Sequence, residues 1–176
     1  FRFDPPNLVI NGGTIRYSGA TGGDWRSFTV GNLGATFESP TAGVTWNLNN
    51  SAQAPVISGN LTFTGAGNMV MNHTLTGANY SLIKNGAGTL TLGGNNTYTG
   101  ATTVNAGTLQ AGSSTALSSS SAFAVGSGAV LALNGFSQTI GSLAGAGTVR
   151  NGSTSTAVTL TVGDSSNTTF SGVLAN

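Results

Sequence analysis

Apolar and polar residues alternate along this chain in short stretches. Leu61 and Phe63 alternate with Thr62 and Thr64, Leu90 and Leu92 with Thr89 and Thr91, and Leu160 and Val162 with Thr159 and Thr161, while Leu131 and Leu133 flank Ala132. A period of two places the apolar side chains on one face of a strand and the threonines on the other, and β-branched residues suit such a half-buried surface. Gly or Asn closes each stretch after a few residues, too soon for a helix of useful length. The run from Ser113 to Ser121 reads as a loop, because serine competes with a helix for backbone hydrogen bonds. Met69 and Met71 fall on one face of a strand and read as core.

The alternation itself repeats. Gly-x-(Leu/Val/Met) begins at Gly67, Gly88, Gly107, Gly128 and Gly147, a nearly even series. Gly13-Thr14-Ile15 and Gly172-Val173-Leu174 extend it with less regular gaps. Its period, about 20 residues, is that of one coil of a β-solenoid, in which each coil pairs its backbone with the coils above and below. The expected fold is all-β, a parallel β-helix with about 20 residues per coil, forming a single domain over 1–176. Eight or nine coils at about 4.8 Å each give a rod on the order of 40 Å long.

Composition turns this pattern into a statement about the surface. Gly, Thr, Ser and Asn supply 92 of the 176 residues, and only nine side chains carry charge, five Lys or Arg and four Asp or Glu. In a coil stack every outward residue lies over its equivalent, where like charges repel but Thr, Ser and Asn do not. Five scattered cations make no basic face, so nucleic acid is excluded as a partner. Cysteine is absent, which excludes disulfides and thiolate metal sites. No apolar run reaches the length of a transmembrane helix. Leu, Ile, Val and Phe number 40, enough for a core and against disorder. Seven Asn-x-Ser/Thr triplets are what this composition produces by chance and are not read as glycosylation sites. With Phe1 rather than Met at its head, the chain is expected to be a processed piece or repeat unit of a longer secreted chain, with residues 1–7 as an extended N-terminal arm.

One segment carries more than a period. Residues 82–112 contain Leu82-Ile83-Lys84-Asn85-Gly86-Ala87-Gly88-Thr89-Leu90-Thr91-Leu92, then Asn96-Thr97-Tyr98-Thr99-Gly100, then Thr102-Thr103-Val104 and Gly107-Thr108-Leu109. This resembles the autotransporter-associated β-strand repeat, also called the passenger-associated transport repeat. The stretches Leu133 to Val149 and Thr168 to Val173 resemble what commonly follows it, whereas residues 1–60 share its texture more than its motif. The resemblance implies a right-handed β-helix on an extracellular or surface-displayed bacterial protein, a passenger or adhesin-like rod in which the repeat serves folding and secretion rather than chemistry. The residues of the motif have structural readings. Gly86 and Gly88 suit corners that need positive φ or close backbone approach, and Gly100 and Gly107 belong to the same structural motif. Leu90, Leu92, Val104 and Leu109 point inward. Asn95 and Asn96 suit a corner where Asn adopts the left-handed region and bonds its own backbone. Tyr98 packs at a corner, and Lys84 is a solvated surface residue.

Residues suited to chemistry are few. The carboxylates are Asp4, Asp24, Glu38 and Asp164. Asp24, Trp25 and Arg26, with Trp46, form a candidate ligand patch for a glycan or host surface. Asp24 and Glu38 meeting across neighbouring coils would be the starting point for a polysaccharide-degrading site, although an Asp24–Arg26 ion pair is the plainer reading. His73 has no second histidine to bind metal with and reads as a surface or corner residue. No cofactor is expected, and the chain reads as non-enzymatic. Self-association is the stronger expectation, since a solenoid leaves unpaired backbone groups on its terminal coils. Phe1 and Phe3 at one end, and Phe170, Val173 and Leu174 at the other, are the candidates for end-to-end stacking.

Overall fold

The computed structural model describes residues 8–23, 28–48, 54–78 and 80–176. These hold twenty strands and no helix. The first three coils each carry three strands: β1 (Leu8–Ile10), β2 (Thr14–Arg16) and β3 (Gly22–Gly23); β4 (Phe28–Val30), β5 (Ala35–Glu38) and β6 (Thr45–Asn47); β7 (Val56–Ile57), β8 (Leu61–Thr64) and β9 (Asn68–Met71). The next two carry two: β10 (Leu82–Lys84) and β11 (Thr89–Leu92), then β12 (Thr102–Val104) and β13 (Thr108–Ala111). The sixth has β14 (Ala122–Val125), β15 (Val130–Ala132) and β16 (Gln138–Ile140), the seventh β17 (Ser142–Gly145), β18 (Thr148–Arg150) and β19 (Leu160–Val162), and the eighth β20 (Val173–Ala175).

Every strand pairs in parallel with its equivalent one coil away, so the sheets run along the stack. One face has seven strands, from β2 to β17, and another has eight, from β3 to β20. The third side is interrupted, with β1-β4-β7 at one end and β16-β19 at the other. The chain is thus an all-β parallel solenoid.

Stacking turns the two-residue alternation into columns. On the eight-stranded face the inward column is Trp46, Met69, Leu90, Leu109, Leu131 and Val149, each paired with the next and each buried. On the seven-stranded face it is Phe37, Phe63, Lys84, Val104 and Val125. The early coils are longer, since more chain separates Ala35 from its partner Leu61 than separates Leu82 from its partner Thr102. A longer coil encloses a wider cross-section, and aromatic rings fill it. Tyr17 stacks on Trp46 at 5.2 Å, Phe37 on Phe63 at 5.5 Å, and Phe28 lies 5.1 Å from Phe37.

Two members of the glycine series are out of place. Val130, in the motif begun by Gly128, pairs with Thr108 and Thr148 and faces outward, and Leu131 takes the inward place between Leu109 and Val149. The preceding turn, closed by the Ala129 N–H donating to the Gly126 carbonyl at 2.9 Å, absorbs the offset. A one-residue shift exchanges the two faces of a strand, and equal glycine spacing cannot reveal it. Ile15, in the motif begun by Gly13, pairs with Phe37 and so belongs to the other sheet. Leu174 keeps the series, opposite Val149.

Candidate functional site

The coil that carries the 82–111 motif is built around three devices. The first is glycine at the corner between the two long faces. Gly86 has φ of +72° and Gly107 of +68°, so both bend the chain through the left-handed region. Gly88 has no such angle, but a Cβ there would overlap the carbonyl of Gly67 in the coil below. The second device is Lys84. It is 1% exposed and occupies an inward position between Phe63 and Val104, contrary to the expectation of a solvated side chain. Its Nζ donates to the carbonyls of Asn85 and Gly86 at 2.7 Å each and of Ala106 at 3.1 Å, tying its own corner to the next coil's. Burial pushes its pKa down to about 8.

The third device is an amide ladder on the side where coils four and five carry no strand. The Asn96 Oδ1 accepts the Leu75 N–H at 2.8 Å and its Nδ2 donates to the Ala116 carbonyl at 2.6 Å. Asn96 therefore bonds the coils on either side rather than its own backbone, and the one non-glycine residue at positive φ among the described residues is Asn134. Gln138 uses its amide on one side only, accepting from Leu117 N–H at 3.0 Å and donating to the Ser113 carbonyl at 2.6 Å, both in coil five. Uncharged side chains thus supply the inter-coil bonds that a sheet would otherwise make. Replacing Asn96 by leucine leaves two buried backbone groups unpaired and is expected to cost about 2–3 kcal/mol in denaturant unfolding.

Tyr98 is fully buried at this corner. It stacks on Tyr80 at 5.5 Å, and its hydroxyl lies 2.7 Å from the Thr102 hydroxyl, which is 2.8 Å from that of Ser121. Burial pushes the Tyr98 hydroxyl up to about 12 and the Tyr80 hydroxyl higher still. Tyr98, Leu90, Leu92, Val104 and Leu109 are all core residues.

The ligand-patch residues do not form a surface among the described residues. Asp24, Trp25 and Arg26 lie outside those residues, as do Phe1, Phe3 and the whole 1–7 arm. Trp46 is 2% exposed, stacked on Tyr17 and tilted against Phe37, which corrects its reading as a surface platform. No described aromatic residue is exposed. Glu38 pairs with Arg16, directly opposite it on β2 and β5, at 2.9 and 3.2 Å. The Arg16 side chain is 65% exposed, so Arg16→Ala is expected to change unfolding free energy by less than about 1 kcal/mol. Asp164, the other described carboxylate, sits beside β19 of the seventh coil, its carboxyl held below the usual range by the Ser166 hydroxyl and by the Ser166 N–H, which donates to it at 2.6 Å. Glu38 and Asp164 are five coils apart, on the order of 24 Å along the stack. No group of three metal-ligating His, Cys, Asp or Glu exists among the described residues. His73 is half-buried, and burial lowers its pKa.

Two hollows remain. A cavity of about 600 Å³ lies at the eighth coil, lined by Leu133, Val149, Val158, Leu160, Leu174 and Asn151. The apolar part of its wall is inward columns of the stack laid open, and the polar part gathers around Asn151, whose Nδ2 donates to the Ser153 and Thr156 carbonyls and to the Asn176 Oδ1. Phe170 is half-buried there, while Val173 and Leu174 are exposed, and Leu174 stacks on Val149 in register with the coil before it. A groove of about 420 Å³ on the third side is lined by Asn95, Thr97, Thr115, Ser137, Thr139 and Thr161. No helix of the described residues is long and apolar enough to cross a membrane.

Corner glycines, buried amides and a sparsely charged outer surface define a structural β-solenoid whose specialised residues hold coils together. Residues 82–111 match the model of the passenger-associated-transport-repeat. Over 174 residues, 97% of its length, it is 38% identical to the Adhesin BmaC autotransporter of Brucella suis biovar 1 (strain 1330). The chain spans 4% of the length of that adhesin. No solved structure matches it.

Proposed function

We propose that this chain is a rod segment of a bacterial surface adhesin, an extracellular β-solenoid that spaces, displays and adheres without catalysing a reaction. The observation that carries this reading is the 38% identity to an autotransporter adhesin along 97% of the chain, across the whole coil stack rather than the repeat motif alone. The wide separation of Glu38 from Asp164 supports a non-catalytic role. In this reading the exposed β20, with Val173 and Leu174, accepts a further coil of the same fold end to end, and a host surface or glycan is the outer partner.

The test is display of the chain on a non-adherent bacterium, fused to an outer-membrane anchor. Attachment to cultured epithelial cells is expected to rise several-fold over the anchor alone, and attachment equal to the anchor alone would overturn the adhesive role. Electron microscopy of the purified chain tests the end-to-end part. Rods longer than the single-chain length, on the order of 40 Å, are expected, and uniform short particles at high concentration would remove it.

A further inference from the structure

Four asparagines of this chain precede a glycine: Asn11, Asn85, Asn134 and Asn151. In such a pair the glycine nitrogen is a potential nucleophile toward the asparagine Cγ, and the missing Cβ leaves its approach unshielded. The structure treats the four pairs differently. Gly12 donates its N–H to the Gly34 carbonyl at 2.8 Å, and Gly135 donates to the Asn151 Oδ1 at 3.1 Å, so both attacking nitrogens are engaged. Asn151 is 6% exposed, and its Nδ2 donates to the Ser153 and Thr156 carbonyls and to the Asn176 Oδ1, so its leaving nitrogen is held. At Asn85 neither restraint operates. Among the described residues, the Gly86 N–H and the Asn85 Nδ2 donate to no partner. Two neighbours favour the reaction instead. The Asn105 Nδ2 donates to the Asn85 Oδ1 at 2.8 Å, which draws electrons from the Cγ under attack. The Lys84 Nζ donates at 2.7 Å to the Asn85 carbonyl, the oxygen of the same peptide unit as the Gly86 N–H. A cation on that oxygen stabilises the anion left when the nitrogen gives up its proton.

We propose that Asn85 is a self-modification site, at which the Asn85–Gly86 pair closes to a succinimide and then opens to a carboxylate. The Gly86 nitrogen loses its proton and bonds to the Asn85 Cγ. The Cγ–Nδ2 bond breaks, and ammonia carries away that nitrogen and the proton. Water, which reaches the half-buried Asn85, then opens the ring and leaves aspartate or isoaspartate at this position. Water is the only other reactant. The product changes the local electrostatics. The sequence holds no Asp or Glu between Glu38 and Asp164. The new anion therefore arises in an acid-free stretch of the rod, in the residue next to Lys84, a buried cation with no ion pair among the described residues. An anion placed there favours the protonated form of Lys84.

The experiment incubates the folded 176-residue chain near neutral pH for weeks, digests samples, and reads the amide-to-acid mass gain of each peptide by mass spectrometry. Asn85 is expected to convert at least ~10-fold faster than Asn11, Asn134 or Asn151. In urea, where the fold no longer distinguishes them, the four are expected to convert at comparable rates. Lys84→Met is expected to slow conversion at Asn85 about 10-fold, through loss of a charge-assisted hydrogen bond. Asn105→Ala is expected to slow it about 3-fold, the rate equivalent of one neutral hydrogen bond. The Asn105 side chain is exposed, so this second variant is expected to keep the fold and to carry the test if Lys84→Met loosens the stack. Conversion at Asn85 no faster than at the other three in the folded chain would overturn the proposal. So would an Asn85 rate that Asn105→Ala leaves unchanged.

Discussion

Replacing Gly88 by alanine is expected to destabilise the fold by about 3–5 kcal/mol, a fall of roughly 10 °C or more in unfolding temperature. The corner that precedes β11 lies directly on the corner that precedes β9. Gly88 donates its N–H to the Gly65 carbonyl at 3.0 Å, and a Cβ on Gly88 would overlap the Gly67 carbonyl and meet the backbone of Ala66. The obstacle is backbone of a coil fixed by sheets on both sides, so no side chain can turn aside to relieve it. The φ of Gly88 is one that alanine adopts, and the cost is therefore spacing between coils rather than backbone strain. Gly163→Ala supplies the contrast. A Cβ at Gly163 meets nothing within 4 Å, and its φ is ordinary, so its effect is expected within about 0.5 kcal/mol. Guanidinium unfolding of the two variants beside the parent chain checks both. Equal midpoints for Gly88→Ala and the parent would mean that coils three and four do not stack as closely as the structure shows.

The same stacking explains which features were legible beforehand. In a parallel coil stack the inward positions of one strand repeat those of the last, so Leu90, Leu109 and Val149 announce the fold by recurrence. The early coils, in which Thr14 pairs with Thr36 and Ala35 with Leu61, are longer and uneven and hide that recurrence, which is why residues 1–60 show texture and no motif. Trp46 carries two opposed signals. Val44, Trp46 and Leu48 alternate with Thr45 and Asn47, which places the indole inside, although an isolated tryptophan in a polar chain suggests a binding platform. Asn96 has no such signal. Its role is set by the absence of a strand on one side of coils four and five, a property of three coils together. Lys84 lay in phase with Leu82, and the period of two assigns both to the interior. The general preference of lysine for solvent argued the other way, and what decides between them is the set of three carbonyls at the corner, which no alternation pattern encodes.

Lys84 also makes stability depend on pH in an unusual direction. Its three N–H groups meet three backbone carbonyls, Asn85, Gly86 and Ala106, and it makes no ion pair among the described residues. Truncation by Lys84→Ala removes those bonds and opens a cavity between Phe63 and Val104, with an expected cost of about 3–5 kcal/mol. Lys84→Met refills much of the volume but leaves the carbonyls unpaired, with an expected cost of about 2 kcal/mol. Burial lowers the Lys84 pKa from its ordinary 10.5 to about 8 in the folded chain. Between pH 8 and 10 the unfolded chain therefore holds a proton that the folded chain has released, and stability rises with pH. The gain is expected to be on the order of 1–2 kcal/mol once screening by water is allowed for. Above pH 10 the sign reverses. Burial raises the Tyr98 hydroxyl to about 12 and Tyr80 beyond it, so the unfolded chain ionises these tyrosines first and stability falls. Unfolding midpoints measured from pH 7 to 11 are expected to peak near pH 10 in the parent chain. In Lys84→Met the rise is expected to vanish while the fall above pH 10 remains. A parent curve that is flat from pH 8 to 10 would show that the three carbonyls hold the proton as firmly as water does, and that burial does not govern this amine.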